Sequence, residues 1–280
     1  MSAPDLLLSS ALSMAASQVV VTVDVSPSCS LAFARKEVES EDNDDAVDPY
    51  LFDDEYTVAC STGFVLWEGA WCLVQAMREA RVPPVAGLRV VELGAGAGLA
   101  GMYAAARGAH VLLTDVAPVV EGSLEPNVKR NANTSPAAAA AAAAADGQNG
   151  AWIGALPVGE GTAAAQPLNW SKDVSAQCKP NDPRSRVDII LAAECVWLVD
   201  ILDEFLDTLK ALLADSPSAS AFVSYCDRSS PGSKSFVSSR RLWDGCVSRE
   251  MQHEVVYVGD APEAMGKTCE VHRVWLGTQQ

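Results

Sequence analysis

The segment Val90–Gly101, with the sequence VVELGAGAGLAG, constrains the fold of this chain more than any other feature. Its apolar residues predict a buried β-strand, four glycines follow, and the residues among and after them predict a helix. A glycine-rich turn between a strand and a helix lets backbone N–H groups approach a bound molecule closely, because no Cβ atoms intervene. The strand also carries one acid, Glu92, among its apolar residues. We therefore expect an α/β fold with a binding loop at the end of this strand.

Helix and strand patterns alternate after this loop. A strand at 109–115 ends on Asp115, a strongly apolar strand is predicted at 186–194, and helical segments separate the strands. Such alternation is typical of a parallel sheet with right-handed crossovers. Residues 253–260 and 269–277 predict a closing antiparallel hairpin. The predicted fold class is α/β, a Rossmann-like sheet with helices on both faces and an antiparallel hairpin at the C-terminus.

The chain divides into two parts by composition. Two β-rich runs within 18–34 predict a hairpin, and residues 37–55 are so acidic that we expect a solvated loop. We therefore assign 1–61 to an N-terminal β extension with an acidic loop, and 62–280 to the main domain. Within that domain, 133–166 contains a run of nine alanines and further glycine- and alanine-rich sequence. We expect this segment to be largely a low-complexity insertion in a surface loop.

Charge and cysteine usage exclude some classes of function. The formal net charge of −16 argues against a nucleic-acid-binding surface and would suit a basic partner. The eight cysteines include no CxxC pair and the three histidines are not spaced with them as zinc ligands, so we expect free thiols and no metal site. The N-terminus lacks the positive charge of a targeting segment, and no apolar run is long enough to span a bilayer. We expect a cytoplasmic or nuclear protein that does not bind membranes.

Two kinds of cofactor would suit the glycine loop. An acid at the end of the next strand, here Asp115, can accept hydrogen bonds from ribose hydroxyls in either a dinucleotide or an S-adenosylmethionine site. Gly96, Gly98 and Gly101 form the G-x-G-x-x-G fingerprint of dinucleotide-binding proteins. These features alone therefore do not decide between a dinucleotide and S-adenosylmethionine, and the spacing of the acid and the glycines must be considered.

The register of the loop resembles a different motif. Residues 92–98, ELGAGAG, look like the first motif of the seven-strand S-adenosylmethionine-dependent methyltransferases, E/D-x-G-x-G-x-G. The resemblance implies that Glu92 helps to bind the positively charged methionine end of the cofactor, and that Gly94, Ala95 and Gly96 line its backbone. A carboxylate tolerates a cationic cofactor but repels a pyrophosphate. The motif therefore favours S-adenosylmethionine.

Four further segments narrow the resemblance. TGFVLWEGAWCL, LEPNVKRN, LNW and VDIILAAECVW follow one another in the order found in the non-histone protein-lysine methyltransferases of this class. The likeness runs from about Thr62 to the C-terminus, apart from the alanine-rich segment. It implies a monomeric enzyme that transfers a methyl group to a lysine side chain of a non-histone protein.

The same resemblance assigns cofactor-binding residues. Trp67 would border the cofactor, Asp115 would hold the ribose hydroxyls, Trp170 would stack near the adenine, and Ala193 would pack against the cofactor. These four residues come from four separate segments of the chain. The resemblance therefore predicts that the fold gathers them into one site.

The catalytic prediction rests on Glu194 and Trp197. A lysine at its ordinary pKa of about 10.4 is protonated at neutral pH, so the site must release its proton and align its lone pair with the methyl group. Glu194, at the end of an apolar strand, could accept hydrogen bonds from that amine, and Trp197 could contact the cation by its ring face. The nearby Arg228 and Cys195 are predicted to be structural.

Two alternative functions stay open at this point. The G-x-G-x-x-G pattern is compatible with an NAD(P)-binding oxidoreductase. A non-catalytic binding protein with a methyltransferase fold is the other, because Trp197 stands where the family usually has Tyr or Phe.

Overall fold

The predicted α/β architecture is confirmed by the computed structural model. It describes residues 18–36, 63–133, 152–174, 177, 187–230, 232–261 and 267–277. Within these residues, eight strands form one large sheet and two form a separate hairpin. No helix in these ranges is long and apolar enough to cross a membrane.

Five neighbouring strands of the large sheet run parallel. The order across the whole sheet is β5-β6-β4-β3-β7-β8-β10-β9. The parallel strands are β3 Arg89–Leu93, β4 His110–Asp115, β6 Gly161–Pro167, β7 Ile189–Ala193 and β8 Ser220–Cys226. The C-terminal pair, β9 Met251–Ala261 and β10 Lys267–Leu276, is antiparallel, as predicted, and β10 lies against β8. The short β5, Leu156–Val158, adds an eighth, antiparallel strand at the other edge.

Helices cover both faces of the sheet, again as predicted. They are α1 Glu68–Arg78, α2 Leu99–Ala106, α3 Ala117–Val119, α4 Glu125–Asn131, α5 Leu202–Asp215 and α6 Ser239–Ser248, with a π-helical turn Val120–Leu124 and a 3₁₀ turn Val199–Ile201. The longer helices fall into two groups, each of which belongs to its own hydrophobic cluster. One packs α1, α2 and α4 against one face, and the other packs α5 and α6 against the opposite face.

The predicted insertion at 133–166 needs a correction. Its last six residues, 161–166, all belong to β6, which pairs in parallel with β4 and is largely buried. The alanines gave no strand signal because strands are usually marked by β-branched and aromatic residues. Glycine is needed at position 161, because a Cβ there would lie too close to the carbonyl oxygen of Ala109. Residues 134–151 lie outside the described part of the chain.

The predicted N-terminal hairpin is present. Strands β1, Gln18–Ser26, and β2, Cys29–Lys36, pair antiparallel and form their own two-stranded sheet. Leu31 and Phe33 of β2 are fully buried in the core cluster that contains α1 and α2. The hairpin therefore packs onto the main domain. The predicted acidic loop, 37–55, lies outside the described residues, and the division at residue 61 stays a prediction.

Two asparagines of α4 attach the hairpin. Asn127 accepts a hydrogen bond from the Ala34 amide at 2.9 Å and donates to the Ala34 carbonyl at 3.2 Å. Asn131 makes the same pair of bonds with Ala32, at 2.7 and 2.9 Å. Asn127 is fully buried and also donates to the Ala97 carbonyl, at 3.1 Å, in the glycine loop. One side chain thus connects the hairpin to the loop after β3.

Candidate active site

A cavity of about 640 Å³ opens at the carboxyl ends of the parallel strands. Ligands of open α/β sheets bind at this edge, and the volume falls within the range of ordinary small-molecule sites. Its walls come from the segments that follow β3, β4, β6 and β7 and from the residues around the start of α1. Five different parts of the chain therefore build one site.

Nine of the ten residues predicted from the sequence line this cavity. They are Trp67, Gly94, Ala95, Gly96, Asp115, Trp170, Ala193, Glu194 and Trp197. Their separate roles toward a cofactor or substrate stay predictions. Their convergence in one cavity follows from the parallel strands, which bring their carboxyl ends to the same edge of the sheet.

Glu92 is the exception in its position, and its predicted help in binding the cofactor stays a prediction. Its side chain is not among the residues that line the cavity, and the residue is only 1% exposed. Its Oε2 accepts a hydrogen bond from the Gly101 amide at 2.8 Å. Burial raises the pKa of Glu92 to about 8, although the bond from Gly101 opposes this shift. Glu92 therefore contacts the first turn of α2 from within the protein core.

The glycine loop has a backbone that other residues rarely adopt. Gly94, Gly96 and Gly98 have φ angles of 60°, 55° and 89°. A Cβ on Gly94 would lie 2.3 Å from Cβ of Cys195, so the loop after β3 and the segment after β7 touch through this glycine. Close packing of the two loops fixes the floor of the cavity.

Asp115 holds the loop from the side of β4. Its Oδ2 accepts a hydrogen bond from the Gly96 amide at 2.8 Å, and its Oδ1 accepts one from Val116 at 2.7 Å. Burial raises the pKa of Asp115 to about 6, while these two bonds act in the opposite direction. Each carboxylate oxygen keeps a further lone pair. Asp115 can therefore order the loop and still accept hydrogen bonds from a ligand.

Three tryptophans form apolar walls. The ring of Trp170 packs edge-to-face on Phe205, with 5.5 Å between the ring centroids. Trp197 stacks on Phe236 at 5.9 Å, and Trp67 lies directly before α1. Large aromatic walls exclude water, which strengthens electrostatic interactions inside a site.

Glu194 has an unusual conformation that its neighbours maintain. It follows β7 with a φ of 52°, in the left-handed region that residues other than glycine seldom occupy. Its amide donates to the Ser224 carbonyl at 3.0 Å, Oε2 accepts from the Gly69 amide at 2.8 Å, and Oε1 accepts from Arg228 Nε at 2.7 Å. Strain of this kind persists only where several contacts compensate for it, and it is common at functional sites.

Arg228, which the sequence predicts to be structural, lies outside the lining of the cavity but contacts Glu194. It bridges two carboxylates, because its Nη2 donates to Glu68 Oε2 at 2.7 Å while its Nε donates to Glu194. Its guanidinium also lies 5.2 Å from the ring centroid of Trp67. Glu68, Glu194 and Cys226 lie close enough to hold a metal ion, but the Arg228 cation already bridges the two carboxylates. Its position shortly after β8, the strand that pairs with β7, was the sequence feature that could have indicated a contact with Glu194.

The lining of the cavity is acidic. It includes four carboxylates, those of Asp115, Glu194, Asp200 and Glu204, and no lysine, arginine or histidine among its described residues. A cavity lined by acids and aromatic rings attracts cations and repels phosphates. The electrostatics therefore favour a positively charged ligand.

The sheet order and the position of the glycine loop are those of the Rossmann-like methyltransferase fold. The 16S rRNA N2 G1207 methyltransferase RsmC of T. thermophilus, solved in complex with AdoMet and guanosine, has the same fold. The TM-score is 0.50 at 17% identity, over 94% of this chain and 51% of that one.

The particular family follows from the sequence. The lysine methyltransferase family model matches residues 48–146 and 155–241, so the chain belongs to the lysine methyltransferase family. The protein N-lysine methyltransferase METTL21A of Danio rerio is 30% identical over 149 residues, which are 53% of this chain. The chain spans 54% of the length of that relative. The resemblance stated from the sequence motifs is thereby confirmed.

Proposed function

We propose that this chain is an S-adenosylmethionine-dependent methyltransferase that acts on a lysine side chain of another protein. The observation that carries the proposal is the cavity itself, whose lining combines the glycine loop and Asp115 with Glu194 and Trp197. Both reactants of such an enzyme, the sulfonium cofactor and the lysine, are cationic. The acidic and aromatic lining suits both, and membership of the lysine methyltransferase family supports the assignment.

The residues around the glycine loop fit the cofactor. Asp115 would hold its ribose hydroxyls, Trp170 would flank its adenine, and Gly94 and Gly96 would allow its close approach to the backbone. When bound, S-adenosylmethionine would supply a methyl group on a sulfonium sulfur, which the lysine nitrogen would accept to leave S-adenosylhomocysteine. The lysine ammonium would lose a proton to solvent before transfer, because only the uncharged amine has the lone pair that accepts the methyl group.

Glu194 and Trp197 would orient the acceptor amine. Glu194 retains lone pairs that can accept hydrogen bonds from it, and the ring of Trp197 can contact the aliphatic chain or the cation. Asp200 and Glu204, which also line the cavity, would attract the positively charged side chain as it enters. The tryptophan walls would exclude water from the reacting atoms.

Finer aspects of the target belong to the same proposal. A non-histone protein with a basic segment would complement the net charge of −16 and the acidic residues of the cavity. We further propose a cytoplasmic or nuclear location and a monomeric enzyme.

The oxidoreductase alternative is weakened by Glu92. A dinucleotide places its pyrophosphate at the amides that begin the helix after the glycine loop. Here the Gly101 amide, in the first turn of α2, already donates to the Glu92 carboxylate. This amide is therefore already paired and does not donate a hydrogen bond to a pyrophosphate. Calorimetric titration with NADH and with S-adenosylhomocysteine separates the two functions, and we expect only the second to bind.

A labelling experiment tests the transfer itself. The purified protein is incubated with cell extract and S-adenosylmethionine that carries a radioactive methyl group. We expect label in protein, located on lysine by mass spectrometry, and none in extract whose lysines were first acetylated. The Glu194→Gln variant should bind S-adenosylhomocysteine but label weakly. Absence of label with the wild-type protein would support the non-catalytic alternative, and label that survives acetylation would indicate another acceptor.

A further inference from the structure

The acidity of the cavity creates a difficulty for the proposed reaction. An opposite charge within about 6 Å favours the charged form of a titratable group and shifts its pKa by about 1–3. A lysine beside an isolated carboxylate would therefore hold its proton more tightly than it does in water. Only the uncharged amine has the lone pair that the reaction needs. A carboxylate that orients the amine should thus be prevented from stabilising the ammonium.

The contacts of Glu194 provide such a device. Its side chain is 3% exposed, and one oxygen is paired with Arg228 Nε at 2.7 Å while the other accepts from the Gly69 amide. The guanidinium remains charged at any physiological pH. Arg228 is also held by Glu68, by the bond at 2.7 Å, so its position does not depend on Glu194 alone.

We propose, on the basis of the function proposed above, that Arg228 is a positioning residue that cancels the charge of Glu194 and so keeps the acceptor lysine uncharged and nucleophilic. Glu194 then orients the amine through its remaining lone pairs without holding it as the ammonium. Glu68 limits how much of the Glu194 charge Arg228 can neutralise, because Glu68 pairs with the same guanidinium.

Other ionisable groups lie around Glu194 and Arg228, and they are the same in the wild type and in a variant in which only Arg228 is replaced. Asp115, Asp200 and Glu204 line the same cavity. The further groups close to Glu194 or Arg228 are Cys72, Cys195, Tyr225, Cys226 and Cys269. Burial raises the pKa of Cys195 and Tyr225, which keeps both neutral near physiological pH. A change caused by substitution of Arg228 alone therefore reports on Arg228.

The test measures the pKa of a bound amine directly, without turnover. The probe is a blocked lysine that carries a ¹³C-methyl group on its side-chain nitrogen, bound to the protein in the presence of S-adenosylhomocysteine and followed by NMR as pH changes. We expect the pKa of the bound amine to be about 1 to 3 higher in Arg228→Gln than in the wild type. Arg228→Lys, which keeps a positive charge, should restore most of the wild-type value.

Glu68→Gln provides the opposite perturbation and remains informative if Arg228→Gln fails to fold. It leaves Arg228 paired with Glu194 alone, so the pKa of the bound amine should fall below the wild-type value. Calorimetric binding of S-adenosylhomocysteine checks the fold of each variant. An unchanged pKa in a folded Arg228→Gln protein, or no fall in Glu68→Gln, contradicts the role of Arg228. Failure of the wild-type protein to bind the probe contradicts the proposed lysine site instead.

Discussion

The backbone nitrogen of Gly101 lies 2.8 Å from Oε2 of Glu92, and this contact joins the first parallel strand to the helix that follows it. The carboxylate sits at the positive end of α2, where it satisfies an amide that has no partner within the helix. A Cβ on Gly101 would lie 2.5 Å from the same oxygen, so the approach requires glycine. The acid and the last glycine of the segment VVELGAGAGLAG therefore form one structural unit.

We predict that Glu92→Gln makes protein stability less dependent on pH. Burial raises the pKa of Glu92 from 4.5 to about 8, so between these values the folded state binds more protons than the unfolded chain. The free energy of unfolding of the wild type must then fall as pH rises through this range. Glutamine keeps an oxygen for the Gly101 amide but has no charge to bury.

Urea unfolding at several pH values between about 5 and 9 checks this prediction. The variant should be more stable than the wild type at the upper end, by on the order of a few kcal/mol, and the difference should shrink toward the lower end. Glu121→Gln, at an exposed position in the π-helical turn, controls for the loss of one negative charge. Equal pH slopes in Glu92→Gln and the wild type would count against a buried, ionising carboxylate.

A second prediction concerns Asp115. Asp115→Ala should weaken S-adenosylhomocysteine binding by about 100-fold or more. The variant would lose the two proposed hydrogen bonds from the ribose hydroxyls to the carboxylate, and the glycine loop would lose the bond that the Gly96 amide donates to Asp115. Asp115→Asn keeps one oxygen acceptor, so it should bind with intermediate affinity. Calorimetry on all three proteins measures the effect. Wild-type affinity in Asp115→Ala would remove this residue from the cofactor site.

The sequence alone predicted the parts of the site that depend on local patterns. The glycine loop follows β3, Asp115 is the last residue of β4, and Glu194 follows β7. Parallel strands place their carboxyl ends along one edge of the sheet. The bridge from Arg228 to Glu68 joins residues 160 positions apart, and no local pattern encodes it. Strand β6 was missed because its alanines carry no periodic signal, although its neighbours in the sheet bury it. Contacts that only the folded chain creates account for both omissions.

Asn127 should contribute more to stability than Asn131, although both attach the same strand. Asn127→Ala removes bonds to Ala34 and leaves the Ala97 carbonyl without its partner in a fully buried place. Unmade buried hydrogen bonds cost about 1–3 kcal/mol each, so we expect a loss of about 2–4 kcal/mol in urea unfolding. Asn131→Ala, at a partly buried position, should cost less.

The bond to Ala97 also predicts an effect on binding. Asn127→Ala should weaken S-adenosylhomocysteine binding, because the loop that lines the cavity loses a support, whereas Asn131→Ala should leave the affinity near that of the wild type. Calorimetry under conditions where both variants are folded separates the two effects. Equal affinities would restrict Asn127 to attachment of the hairpin.

The last prediction compares two glycines with similar backbones and different surroundings. Gly94 and Gly87 have φ angles of 60° and 73°, so alanine at either position is strained by about 1–3 kcal/mol. A Cβ on Gly94 would lie 2.3 Å from Cβ of Cys195, whereas nothing lies within 4 Å of one on Gly87. Gly94→Ala must therefore push apart the segments after β3 and β7 as well.

We expect Gly94→Ala to lower the free energy of unfolding by about 1–3 kcal/mol more than Gly87→Ala does. Because the displaced segments form the floor of the cavity, Gly94→Ala should also abolish measurable S-adenosylhomocysteine binding, while Gly87→Ala should bind like the wild type. Thermal unfolding and calorimetry on the two variants check both parts. Equal destabilisation of the two proteins would mean that the close contact between Gly94 and Cys195 relaxes without cost, and that this glycine is needed only for its backbone angle.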